Sequence, residues 1–156
     1  MSTLTIRCIK AAFLALAAGI LLGASFAIDR ALGAQLRPLH AELNLWGWTT
    51  LLIYGMGYHM LPRFCGQPLR RTRSANLQAW LAIGGVATAC AGWLLAVVMP
   101  RAGRVVLAVG GIAQLAAALL FAFVIGELLW KQAGAQQPQP SATPISRDIA
   151  AARKEV

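Results

Sequence analysis

Residues 36–71 read LRPLHAELNLWGWTTLLIYGMGYHMLPRFCGQPLRR, and their reading decides the fold. The stretch holds both histidines, both tyrosines, two of the five tryptophans and one of only five acidic residues. Between Pro38 and Pro62 it is otherwise apolar enough to cross a bilayer. Proline suits the first turn of a helix, where its missing N–H costs nothing, and it stops a helix at the other end. The pattern predicts a membrane helix over about 39–61. A membrane helix that carries a histidine, a carboxylate and an amide in its opening turns is expensive to build, which marks His40, Glu42 and Asn44 as functional candidates.

The flanking chain repeats the apolar theme without the polar content. Hydrophobic residues make up 58% of 156 residues and charged residues 12%, with a mean hydropathy of +0.64, which places the chain among integral membrane proteins. Strand-like alternation is absent and Ala, Leu and Gly dominate, so the expected spans are helices. They fall at about 9–30, 39–61, 76–99 and 104–130. The links are Asp29 to Pro38, Phe64 to Ala75, and a tight turn at Pro100 to Gly103. The fold class is an all-α membrane protein, a four-transmembrane-helix up-down bundle. Ser25 to Ala27 has the small residues of a signal-peptide cleavage site, but the first apolar run is read as a retained span. From Gln132 the composition turns to Pro, Gln, Ala and Ser, and residues 132–156 are read as a disordered cytoplasmic tail.

The net charge of +9 raises the question of nucleic acid, and its distribution answers it. One topology puts Arg7, Lys10, Arg63, Arg70, Arg71, Arg73, Lys131, Arg147, Arg153 and Lys154 on one side. Only Arg30, Arg37, Arg101 and Arg104 fall on the other. By the positive-inside rule both termini are cytoplasmic, in a bacterial-type inner membrane, and the charge serves topology and anionic lipid rather than nucleic acid. Cys8, Cys65 and Cys90 have no paired spacing, and no disulfide framework is implied.

Small residues recur every four positions at Ala11, Ala15, Gly19, Gly23 and Ala27. They recur again at Gly84, Thr88, Gly92 and Ala96, and at Gly110, Ala118, Ala122 and Gly126 with Gln114 in register. Such stripes let helices approach closely.

His40 lies at the external edge of its helix. One imidazole nitrogen there could bind iron or copper while a neighbour holds the other. The alternative is an interfacial histidine bonded to headgroups. Asn44 shares its face. Gly47, Leu51 and Gly55 extend that face into a shallow groove for a flat group, lined by Trp46, Trp48 and Tyr54. Gly47 and Gly55 could equally seat another helix. Glu42 is a candidate ligand, proton carrier or partner of Arg37. Met99, also external, is either a second axial ligand or one more apolar residue. His59 is roughly 28 Å further along the axis, too far to share a metal with His40 within one chain, and reads as an interface anchor. Glu127 is read as an interfacial pair with Lys131. No catalytic constellation otherwise appears, so the sequence leaves the question of an enzyme open and leans against one.

The runs HAELNLWGW (40–48) and GMGYHMLPRFCG (55–66) resemble the second transmembrane helix of subunit I in the heme-copper oxidase superfamily, in its nitric oxide reductase and C-type oxidase branch. They resemble still more the short subunit-I-like proteins with an HxHxNxxGW pattern and a YHxLPR ending. The resemblance implies that His40 is an axial ligand of a low-spin heme b near the outer face, with Arg37 close to the propionates. Glu42 stands where the short pattern has its second histidine. The copper-binding histidines and the remaining helices of the large oxidases have no counterpart, so oxygen or nitric oxide reduction is not implied. The expectation is therefore a small heme b protein for electron transfer, gas sensing or heme handling, as a homodimer. Its alternatives are a cofactor-free structural or assembly subunit of a respiratory complex, and an external copper site on His40, Glu42 and Met99.

Overall fold

The computed structural model describes residues 2–135, with side chains to Trp130, and every regular element among them is helical. The elements are α1 (Thr3–Ile28), α2 (Arg30–Glu42), a π-helical stretch (Leu43–Thr50), α3 (Leu51–Phe64), α4 (Thr72–Val98) and α5 (Pro100–Ala135). Three helices, at Thr3–Ile28, Thr72–Val98 and Pro100–Trp130, are long and apolar enough to cross a membrane. Their outward faces are bare hydrocarbon. Leu14 and Leu21 are each 73% exposed, and Ile112, Leu115 and Leu119 line α5 in the same way. So much exposed apolar surface suits lipid and not water. The chain is a multi-pass helical membrane protein.

α2, the π-helical stretch and α3 join end to end with helical backbone at both junctions, giving one run from Arg30 to Phe64. This corrects the expected loop over Asp29 to Pro38. Asp29 alone is extended, and its carboxylate accepts from Ala31 N (2.9 Å) and Leu32 N (3.2 Å), capping α2 at its first turn. Pro38 therefore sits inside the helix, where it removes the donor that the Ala34 carbonyl would use. Pro62 likewise does not end its helix. The stop comes at Gly66, whose φ of +60° turns the chain after Phe64. α5 begins at Pro100 itself, so Met99 alone connects it to α4 and the expected turn at 100–103 is helical. Residues 132–135 continue α5, and the remainder of the expected tail lies outside the described residues.

The molecule is two helical hairpins. In the first, α1 packs along the run from Arg30 to Phe64; in the second, α4 and α5 make the most intimate contact of the fold. A Cβ on Gly92 would lie 2.7 Å from the Leu107 amide nitrogen, and one on Gly110 would lie 2.6 Å from that of Ala89. Backbone meets backbone there, as small residues allow in lipid. Between the hairpins, Tyr54 and Tyr58 pack on Phe121 with ring centroids 4.6 and 5.2 Å apart. Ala75, Ala79, Ala82, Val124 and Ile125 complete the interior.

Candidate functional site

His40 comes in the third turn of α2, and α1 is built to receive it. Gly19, Gly23 and Ala15 of the first small-residue stripe oppose Asn44, His40 and Gly47 in antiparallel order. A Cβ on Gly23 would lie 2.8 Å from His40 Cε1, and one on Gly19 would lie 2.7 Å from the Asn44 side-chain nitrogen. The glycines thus hold open the space that the two polar side chains occupy. The His40 ring is half-buried, with Nδ1 2.9 Å from the Gly19 carbonyl oxygen and Phe26 edge-on at 5.6 Å between centroids. A carbonyl only accepts, so Nδ1 carries the proton and Nε2 is left with its lone pair. Asn44 Nδ2 donates to the His40 carbonyl at 2.8 Å and stands 3.4 Å from both ring nitrogens.

The π-helical stretch begins three residues after His40. Thr49 and Thr50 donate their hydroxyls five residues back, to the carbonyls of Asn44 (3.0 Å) and Leu45 (2.8 Å). Widened turns of this kind are frequent at functional sites. Glu42 points away from His40, accepting from the amide of buried Gln114 on α5. Sequence reasoning placed Gln114 in register on a stripe but did not pair it with Glu42. Nor did it pair Gly19, Gly23 and Phe26 with His40, although the stripe that contains the glycines was visible.

The face of Gly47 and Gly55 is not an open groove. A Cβ on Gly47 would lie 2.6 Å from Ala15 Cβ, and one on Gly55 would lie 3.0 Å from Cys8 Cβ. Both glycines seat α1, the second of the two readings their spacing allowed. Trp48 stacks edge-on against Phe13 of α1 at 5.1 Å. Arg37 is exposed. Met99 is 60% exposed and borders a surface hollow formed by its own turn, with Pro100, Arg101 and Arg104. His40, Glu42 and Met99 are thus directed to α1, to α5 and outward, and no three His, Cys, Asp or Glu side chains gather as a metal site among the described residues. His59 lies with Tyr58 and Arg63 on a separate cavity. Glu127 pairs with Arg71 at 2.5 Å, while the Lys131 side chain lies outside the described residues.

As a test of fit for heme, the donor atom qualifies: an imidazole held through Nδ1–H by a carbonyl presents a basic Nε2. The glycine face does not qualify, because α1 fills it.

No protein-family model, curated protein or solved structure matches the chain.

Proposed function

We propose that this is a four-span up-down bundle of a bacterial-type cytoplasmic membrane, with both termini on the cytoplasmic side, that carries heme b on His40. The run from Arg30 to Phe64 supplies the fourth crossing. At 1.5 Å per residue it exceeds a hydrocarbon core of roughly 30 Å, leaving its arginine-bearing first turns to emerge from the lipid. One observation carries the ligand reading, the hydrogen bond from His40 Nδ1 to the Gly19 carbonyl, which leaves the Nε2 lone pair with only the long 3.4 Å approach of the Asn44 amide nitrogen. Gly19 orients the ring, Gly23 gives it room, and Asn44 secures the backbone at His40. Exposed Arg37 is available to a propionate. With Glu42 turned to Gln114 and Met99 facing outward, a second ligand would have to come from outside the chain, and His40 of a second copy in a two-fold pair would supply it. Bound heme would supply one-electron transfer or gas binding; His40 would hold it in place. The deciding measurement is a reduced-minus-oxidised visible spectrum of the purified full chain supplied with heme, against His40→Ala. The wild type shows a low-spin signal that the variant lacks, and identical featureless spectra refute the reading.

A second reading is a cofactor-free structural or assembly subunit of a respiratory complex. The filled Gly47–Gly55 face favours it, since glycines that might have floored a cofactor serve helix packing instead. Co-purification with a larger oxidase, with no heme in the isolated chain, would establish this reading over the first.

A further inference from the structure

Phe26 belongs to the last turn of α1, just before the link at Asp29. Its neighbour Ile28 is 90% exposed, whereas Phe26 is half-buried. What lets Phe26 turn inward is the glycine at position 33. Gly33 is buried and its N–H donates to the Asp29 carbonyl at 3.1 Å. A Cβ on it would lie 3.1 Å from Phe26 Cβ and 3.2 Å from Phe26 Cγ. The first turns of α2 thus back the base of the Phe26 ring. Its far side meets His40 two turns further along the same run, in a T-shaped contact at 65° with centroids 5.6 Å apart.

The imidazole needs that contact, because its other restraints leave it a freedom. The hydrogen bond from Nδ1 to the Gly19 carbonyl fixes one atom, and a single bond of this kind is a hinge about which the ring still swings. Gly23 has no side chain to set against Cε1. Asn44 Nδ2, at 3.4 Å from both ring nitrogens, is too distant to hold either firmly. We infer that Phe26, braced on Gly33, is a positioning residue for His40: it holds the imidazole plane in line with the Gly19 carbonyl, so that the proton stays on Nδ1 and the lone pair on Nε2. An unrestrained neutral histidine favours its proton on Nε2, so the tautomer found here depends on the ring being held. A T-shaped ring contact and a neutral hydrogen bond are of the same order of strength, and losing the first loosens the second. The inference rests on the heme reading for its use, since Nε2 is the proposed ligand atom, but it concerns the heme-free chain.

The test is nitrogen NMR on the full chain in detergent, without heme, carrying nitrogen-15 histidine in alkaline buffer. His59→Gln removes the signals of the second histidine. The expected spectrum has the shift of a protonated nitrogen at His40 Nδ1 and of a bare one at Nε2. Phe26→Leu, which stays apolar but loses the flat ring, moves both shifts toward the opposite tautomer. Phe26→Tyr, which keeps the ring, retains the wild-type shifts. Phe13→Leu removes another edge-on ring of α1, the partner of Trp48, and leaves His40 unchanged. Should Phe26→Leu fail to fold, Gly33→Ala decides, because its methyl meets Phe26 first and reaches the imidazole only through that ring. The inference is overturned if the wild type already carries its proton on Nε2. It is equally overturned if Phe26→Leu and Gly33→Ala both keep the wild-type shifts, or if Phe13→Leu moves them as far. The heme spectrum judges the ligand reading separately, so a failure of one is told apart from a failure of the other.

Discussion

His40 Nδ1 stands 2.9 Å from the carbonyl oxygen of Gly19, so the one histidine at this end of the molecule is oriented by the backbone of a neighbouring helix. A backbone acceptor cannot be mutated away, but the space around it can.

Gly23 is the lever on that space. In Gly23→Ala the new Cβ falls 2.8 Å from His40 Cε1, and either the ring or α1 must move. Overpacking of this kind costs about 1–3 kcal/mol. The expected outcome is a lower midpoint in thermal unfolding in detergent and, under the proposed heme reading, reduced heme uptake. Gly84→Ala, where the added methyl meets open space, is the control and leaves stability unchanged or slightly raised.

The Glu42–Gln114 pair ties the two hairpins together. Gln114→Leu leaves a partly buried carboxyl without its amide, which costs about 1–3 kcal/mol. Glu42→Leu strands the buried amide at a similar cost. The double variant removes both polar groups and should be less destabilised than the sum of the singles. A double-mutant cycle measured by denaturant titration gives the coupling, and strict additivity would mean that the two groups do not interact.

Asp29 caps α2 with two backbone hydrogen bonds. Asp29→Ala should cost about 0.5–2 kcal/mol, and Asp29→Asn, which retains an acceptor, markedly less. Hydrogen exchange over residues 30–34 reads the effect locally: fraying confined to this first turn is expected, with α4 and α5 unaffected.

Gly92 tests the second hairpin. A Cβ there meets the amide nitrogen and side chain of Leu107, and a backbone obstacle cannot rotate aside. Gly92→Ala should therefore destabilise by more than Gly23→Ala, whose obstacle is the edge of a ring. Comparing the two unfolding midpoints checks the order.

The all-helical membrane character was legible because long apolar runs leave few alternatives. The start of α2 was not. Arg30, Gln35, Arg37 and Pro38 look like a loop by hydropathy, yet Asp29 followed by Arg, Ala and Leu is an N-cap signal that outweighs them. The π-helical stretch had no legible signature, since its two threonine back-bonds depend on a fold already formed. The stripes were legible over short distances only. A spacing of four advances the helical face by about 40° per step, so Gly19 and Gly23 share a surface but Gly126 has rotated clear of Gly110's. On α4 the packed face accordingly includes Gly85 and Ala89 rather than Gly84 and Thr88. His40 and Asn44 stood out as polar groups in an apolar run; their partner helix could not be read from spacing.

The two connecting residues Asp29 and Met99 bear on the order of assembly. Each hairpin closes across a single residue, which keeps the chain-entropy cost of pairing its helices low, whereas joining the hairpins spans the longer link from Cys65 to Arg71. Everything that orients His40 lies within the first hairpin; Glu42 must wait for Gln114 of the second. The imidazole is therefore set in its tautomer while the chain is still half assembled. The inter-hairpin hydrogen bond then registers that the second half has docked.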